Sequence, residues 1–140
     1  MIFADASALY ALFKSDDARH GDARRAETAV RAQREQLWTI DTVLGELWFL
    51  LRRNFSLGVC DGILDGLIRR GVHIEALQPE DYERVWEIGR EWRDQEFSLT
   101  DRQAFAALER TGRVRAWSYD DDFAVIRLGP ARNRALQLVR

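Results

Sequence analysis

Cysteine, histidine, lysine and proline are all scarce in this chain of 140 residues, and each shortage removes a class of function. Cys60 is the only cysteine, so no internal disulfide forms and no Cys/His set with zinc spacing exists. With Ile63, Leu64 and Leu67 at helical intervals, it reads as a small core residue. His20 and His73 are far apart and read as a surface and a strand position, not as a ligand pair. No stretch approaches the roughly 18 apolar residues of a membrane span, and no leader-like segment precedes the strand-like Ile2-Phe3-Ala4. The expectation is therefore no membrane and a reducing cytoplasm. A net charge of −2 provides no overall field for holding nucleic acid. Neither a glycine-rich phosphate loop nor a nucleophile elbow occurs.

What the chain does have is apolar mass and arginine. It is 46% hydrophobic with five Trp and seven Phe, enough for one substantial core, and residues 1–140 are expected to form a single domain. Of the 21 basic residues all but Lys14 are Arg, many of them paired, as at Arg24-Arg25, Arg52-Arg53 and Arg69-Arg70. Arginine suits bidentate phosphate contacts, but the same bias arises from genomic base composition.

Strand-like and helix-like stretches alternate. Met1 to Ala4 reads as a buried strand and Ser7 to Phe13 as a helix; Arg19 to Glu35 is a charged helix with an alanine-rich inner side. Leu37 to Ile40 reads as a strand, followed by Asp41 or Thr42 as cap of an apolar helix from Val43 to Leu51. A helix over Ser56 to Arg70 closes at Gly71, Val72 to Leu77 offers a strand, and Pro79 opens a helix to about Arg93. Ser98 or Thr100 caps a further helix that stops at Gly112, and Val114 to Tyr119 reads as a strand. Ala124 to Leu128 and Ala135 to Val139 each suggest a terminal strand, with Gly129-Pro130 as the turn between them. This alternation argues for an α/β fold with a parallel or mostly parallel sheet covered on both faces.

Four acidic sites, one of them a pair, stand out against this pattern. Asp5 ends the first strand, and Asp101 heads the apolar stripe of Ala104, Phe105 and Leu108, so it faces inward. Asp120 and Asp122 leave a strand end, and Glu46 sits in a helix apolar nearly all round. Gathered in one pocket, such carboxylates repel unless a divalent cation lies among them, and an all-oxygen ligand set favours Mg²⁺ or Mn²⁺. Each also has a plainer use. Asp5 caps the next helix, Asp101 completes a capping box with Ser98, Asp120 to Asp122 form a solvated turn, and Glu46 pairs with Arg52 or Arg53.

Phe-Ala-Asp-Ala-Ser-Ala-Leu at 3 to 9, Val-Leu-Gly-Glu-Leu at 43 to 47, Ser-Leu-Thr-Asp at 98 to 101 and Ser-Tyr-Asp-Asp-Asp-Phe at 118 to 123 resemble the four ordered signatures of PIN-domain nucleases. The chain is most similar to their small VapC-type toxins. The resemblance implies a three-layer α/β/α sandwich, Mg²⁺- or Mn²⁺-dependent RNA cleavage, a cognate antitoxin and a homodimer. Carried over by motif, Asp5, Glu46, Asp101 and Asp120 are the core acids, and Asp122 matches an additional acid found in many members. The metal ligands implied are Asp5, Asp101, Asp120 and Asp122, with Asp120 favoured over Asp121 by its register after Ser-Tyr. Ser7 orients carboxylates, and Ser118 keeps the hydroxyl where the family usually has Thr. Arg102, next to Asp101, is assigned to the RNA backbone. Two other classes are weighed: a catalytically silent RNA- or partner-binding module of the same fold, and a receiver-like phosphotransfer domain. The latter wants an acidic pair after its first strand and a late Lys, and the chain has one Asp there and Lys14.

Overall fold

Short apolar runs that end in polar residues become the strands, and the structure, a computed structural model, describes all residues 1–140. In chain order the elements are β1 (Ile2–Ala4), α1 (Ala6–Phe13), α2 (His20–Ala32), β2 (Leu37–Ile40), α3 (Asp41–Leu51), α4 (Leu57–Arg69) and β3 (His73–Glu75). There follow α5 (Pro79–Glu91), α6 (Leu99–Thr111), β4 (Arg115–Trp117), α7 (Asp122–Val125), β5 (Arg127–Leu128), β6 (Arg134–Ala135) and β7 (Gln137–Val139).

Five strands form one parallel sheet in the order β3-β2-β1-β4-β7. All three residues of β1 are buried, as expected of a central strand covered on both faces. Helices flank the sheet in a three-layer α/β/α arrangement, with α1 against α2 and α3, α3 against α4, and α5 against α6. Aromatic rings fill the centre: Phe3 meets Trp38 edge-on at 5.0 Å and Phe105 meets Phe123 at 5.0 Å between centroids. Cys60 is fully buried, as a small core residue. No helix is long and apolar enough to cross a membrane.

The strand order has one functional consequence. Parallel neighbours β1 and β4, in register Ala4 with Trp117, end side by side, so Asp5 and the segment after Trp117 emerge at the same edge. At the end of α6, Gly112 takes the left-handed conformation (φ 68°) that lets the chain reverse into β4.

The carboxyl-terminal fifth departs from expectation. Ala124 to Leu128 is not a strand: the amide of Asp122 donates to Asp120 Oδ1 at 2.9 Å, starting a turn that Val125 and Ile126 extend into α7. Phe123 and Ile126, three apart, are thereby both buried. What remains, β5, pairs only with β6 in a small antiparallel ribbon. The expected strand over Ala135 to Val139 divides at Leu136, and only β7 joins the main sheet. Neither Asp41 nor Thr42 caps α3; both lie inside it, and Thr42 Oγ1 has no partner.

Candidate active site

Four segments present the acids, and in two of them the acid also takes part in a helix cap. Asp5 ends β1 and is the N-cap of α1, accepting the Ser7 amide on Oδ2 at 3.2 Å. The hydroxyls of Ser7 and Ser118 donate to the same Oδ2 at 2.6 and 3.0 Å. Each hydroxyl has one hydrogen, and both are used on Asp5. Their oxygens in turn accept the amides of Tyr119 and Asp120, each at 3.0 Å. The two serines therefore tie the end of β1 to the segment leaving β4.

Asp101 completes a capping box at the head of α6. Its Oδ2 accepts the amide and hydroxyl of Ser98 at 3.1 and 2.7 Å, while its own amide donates to Ser98 Oγ at 3.0 Å. In both Asp5 and Asp101, Oδ2 carries these bonds and Oδ1 is left for the cleft.

Carboxylate oxygens of Asp101, Asp120 and Asp122 come within 4.8 Å of one another. Three carboxylates that each offer an oxygen at this spacing would hold one hard divalent ion after drawing inward. Asp121 points outward, its side chain 95% exposed, and stays outside the trio. Asp5 and Glu46 surround the trio without belonging to it.

Glu46 forms neither of the pairings open to it in sequence: Arg52 donates to the Phe55 carbonyl and Arg53 lies over the Phe49 ring. Burial and, after it, the charges of Asp5, Asp101 and Asp120 push the Glu46 carboxyl up to about 7. Asp101 is raised to about 6, by burial first, with Asp120 and Asp5 adding to it against the hydrogen bonds from Ser98. Burial also raises Asp5 and Asp122, the latter with help from Asp120 and Asp121. Four carboxyls that resist ionisation at one strand edge are a site short of positive charge. Oxygen donors alone, without nitrogen or sulfur, fit a hard divalent ion.

Arg102 is turned to α5. Its Nη1 lies 3.5 Å from the Val85 carbonyl and its guanidinium over the Trp86 ring, in a notch that exists because residue 89 is glycine. A Cβ at Gly89 would sit 2.6 Å from that nitrogen. Two cations escaped the sequence reading. Arg19 lies over the Tyr119 ring at 5.5 Å, and Arg140 donates to the carbonyls of Ser118 and Asp120 at 3.0 and 3.3 Å. No local pattern marks either, because their neighbours are set by strand order.

A groove of about 510 Å³ lies at the amino ends of β2 and β3. Leu12, Phe13, Leu67 and Val72 line it together with Arg24, Arg34 and Arg70, which form no salt bridge, and with Glu27 and Glu35, which are paired with Arg31 and with Arg115 and the amino terminus.

The PIN domain family model matches residues 2–128. The 23S rRNA-specific endonuclease VapC20 of Mycobacterium tuberculosis is 32% identical over 124 residues, 89% of this chain and 92% of that protein. The crystal structure of VapC20, described as a Sarcin-Ricin loop cleaving toxin, matches with a TM-score of 0.74 at 30% identity, covering 87% of this chain and 92% of that one. VapBC2 from Rickettsia felis, solved bound to a promoter DNA fragment, matches at TM-score 0.73 and 13% identity over 100% of both chains, a likeness of fold alone.

Proposed function

Because this chain belongs to the PIN-domain family, we propose that it is a divalent-metal-dependent endoribonuclease that hydrolyses RNA phosphodiester bonds as the toxin of a toxin–antitoxin pair. The observation that carries the reading is the meeting of Asp101, Asp120 and Asp122 within 4.8 Å, with Glu46 and Asp5 beside them, at the carboxyl edge of the sheet. Asp101, Asp120 and Asp122 would hold the ion, with the Asp5 carboxylate beside them. Mg²⁺ or Mn²⁺ bound there supplies Lewis acidity and a more acidic water.

The protein's own groups do the rest. Ser7 and Ser118 fix the Asp5 carboxylate, and Ser98 fixes that of Asp101, so the ligand oxygens are set before substrate arrives. Glu46, free of hydrogen-bond partners, takes the proton from the attacking water, whose oxygen bonds to phosphorus as the bond to the leaving ribose oxygen breaks. Arg19, over the Tyr119 ring, and Arg102, once it leaves its seat on α5, would steady the RNA backbone. Similarity to VapC20 makes 23S rRNA the first substrate to offer.

The antitoxin belongs to the same reading. A groove with apolar side chains beside unpaired arginines suits an acidic amphipathic segment, and the groove lined by Phe13, Leu67 and Arg70 has that character. The chain acts in the cytoplasm as a homodimer, which light scattering tests.

Incubating the purified protein with 23S and mixed RNAs, in Mn²⁺ or in EDTA, decides between turnover and binding alone. Cleavage in Mn²⁺ that vanishes in EDTA and in Glu46→Gln is the expected result. RNA retained but uncut under every condition overturns the enzyme and leaves a binding module.

A further inference from the structure

The carboxyl-terminal edge strand reaches back to the acids. In the parallel pairing of β4 with β7, Trp117 stands opposite Val139, so the next residue, Arg140, falls beside Ser118 just where β4 gives way to the acid-bearing segment. Its Nε donates to the Ser118 carbonyl at 3.0 Å and its Nη2 to the Asp120 carbonyl at 3.3 Å. Its third contact, 3.9 Å to the Asp121 carboxylate, involves a side chain 95% exposed and contributes little.

We propose that Arg140 is a positioning residue: by holding the two carbonyls on either side of Tyr119, it sets the segment that offers Asp120 and Asp122 to a divalent cation. The proposal rests on the metal-dependent reading above. Beyond β4 no neighbouring strand reaches these carbonyls; the Asp120 carbonyl also accepts the Phe123 amide at 3.2 Å, and the guanidinium bridges it to the Ser118 carbonyl. From them the order passes inward. The Ser118 hydroxyl meets Asp5, the Asp120 amide meets Ser118 Oγ, and the Asp122 amide meets Asp120 Oδ1. A planar fork spans two carbonyls that a lysine ammonium, a single point of charge, does not span equally well. Arg140 lies beyond residues 2–128, those that the family model matches, so the clamp is read from this chain's own register.

Wild type, Arg140→Lys and Arg140→Gln are compared in two measurements. Without metal, the amides of Asp120 and Asp122 are followed by hydrogen exchange; in Arg140→Gln they exchange about tenfold faster, while core amides such as Phe3 are unchanged. In a Mn²⁺ titration read by melting temperature, the midpoint moves to about tenfold higher Mn²⁺ in Arg140→Gln and less in Arg140→Lys. RNA cleavage at saturating Mn²⁺ stays within about twofold of wild type. If both amides and the midpoint are unchanged while wild type responds to Mn²⁺, Arg140 is a surface link and the metal reading stands without it. A rate lost at saturating Mn²⁺ with an unmoved midpoint also overturns the proposal, since Arg140 then serves the RNA. A wild-type protein indifferent to Mn²⁺ overturns the metal reading, and the clamp's role towards an ion with it.

Discussion

The two ends of the sheet are built on opposite principles. At the carboxyl end, acids are held by serine hydroxyls and backbone amides around a space that lacks positive charge. At the amino end, arginines without acidic partners line a partly apolar groove. One end has its acidic groups fixed and crowded together; the other sets apolar side chains beside arginines that no acid pairs. The contrast separates chemistry from partnership: substitutions at one end ought to leave the other's task intact.

The largest effect that sharpens this division is on turnover. Glu46→Gln lowers RNA cleavage by at least about 100-fold while RNA affinity and the groove are unaffected, as gel-based rates and binding assays show. Replacing Arg34 and Arg70 with Glu has the reverse pattern: cleavage is unchanged, and binding of the co-expressed antitoxin weakens by about tenfold or more, measured by titration calorimetry. If each pair of variants damages both functions alike, the two ends are not separable.

Next in size is the response to metal. At about 100 times its Kd an ion adds about 2.7 kcal/mol, so Mg²⁺ or Mn²⁺ raises the melting temperature by several degrees over EDTA. Without metal, Glu46→Gln and Asp101→Asn each raise it by about 2–4 °C, because each removes a repelled charge and Asn still accepts from Ser98. A lower melting temperature in both would show that the acids are not strained by one another.

The pH dependence has a definite sign. Glu46, at about 7 instead of 4.5, and Asp101, at about 6 instead of 3.8, keep protons in the folded state that the unfolded chain has released. The folded state then binds more protons, so metal-free stability falls as pH rises from about 4 to 7. Metal competes with those protons, and the Mn²⁺ midpoint tightens over the same range. Denaturant titrations at stepped pH read both trends. The smallest effect is local: Gly89→Ala forces the flexible Arg102 guanidinium off α5 while improving helix propensity, so stability changes by less than about 1 kcal/mol, with cleavage falling only if Arg102 touches RNA.

Much of this was legible in the sequence because it is local. The Ser98-to-Asp101 capping box, the Gly112 stop and the strand-to-helix junction at Asp5 are written in neighbouring residues. Glu46 was visible as a carboxylate in an apolar helix, though only the structure shows that Arg52 and Arg53 are engaged elsewhere. What was not legible is long-range. The sheet order, the ribbon of β5 and β6, and the reach of Arg140 to the Asp120 segment depend on which strands lie side by side. Residues 124–128 misled because a short, mostly apolar run such as Ala124-Val125-Ile126 suits a buried strand or one helix turn alike, and the Asp120 side chain decides for the turn.

The double employment of Asp5 and Asp101 limits how this protein can change. Each helps begin a helix as well as lining the cleft, so replacing either with a side chain that has no acceptor oxygen frays architecture and chemistry together. Glu46 begins nothing and bonds to nothing. A descendant that abandons catalysis yet keeps its shape has its cheapest route there, through one substitution in the middle of α3.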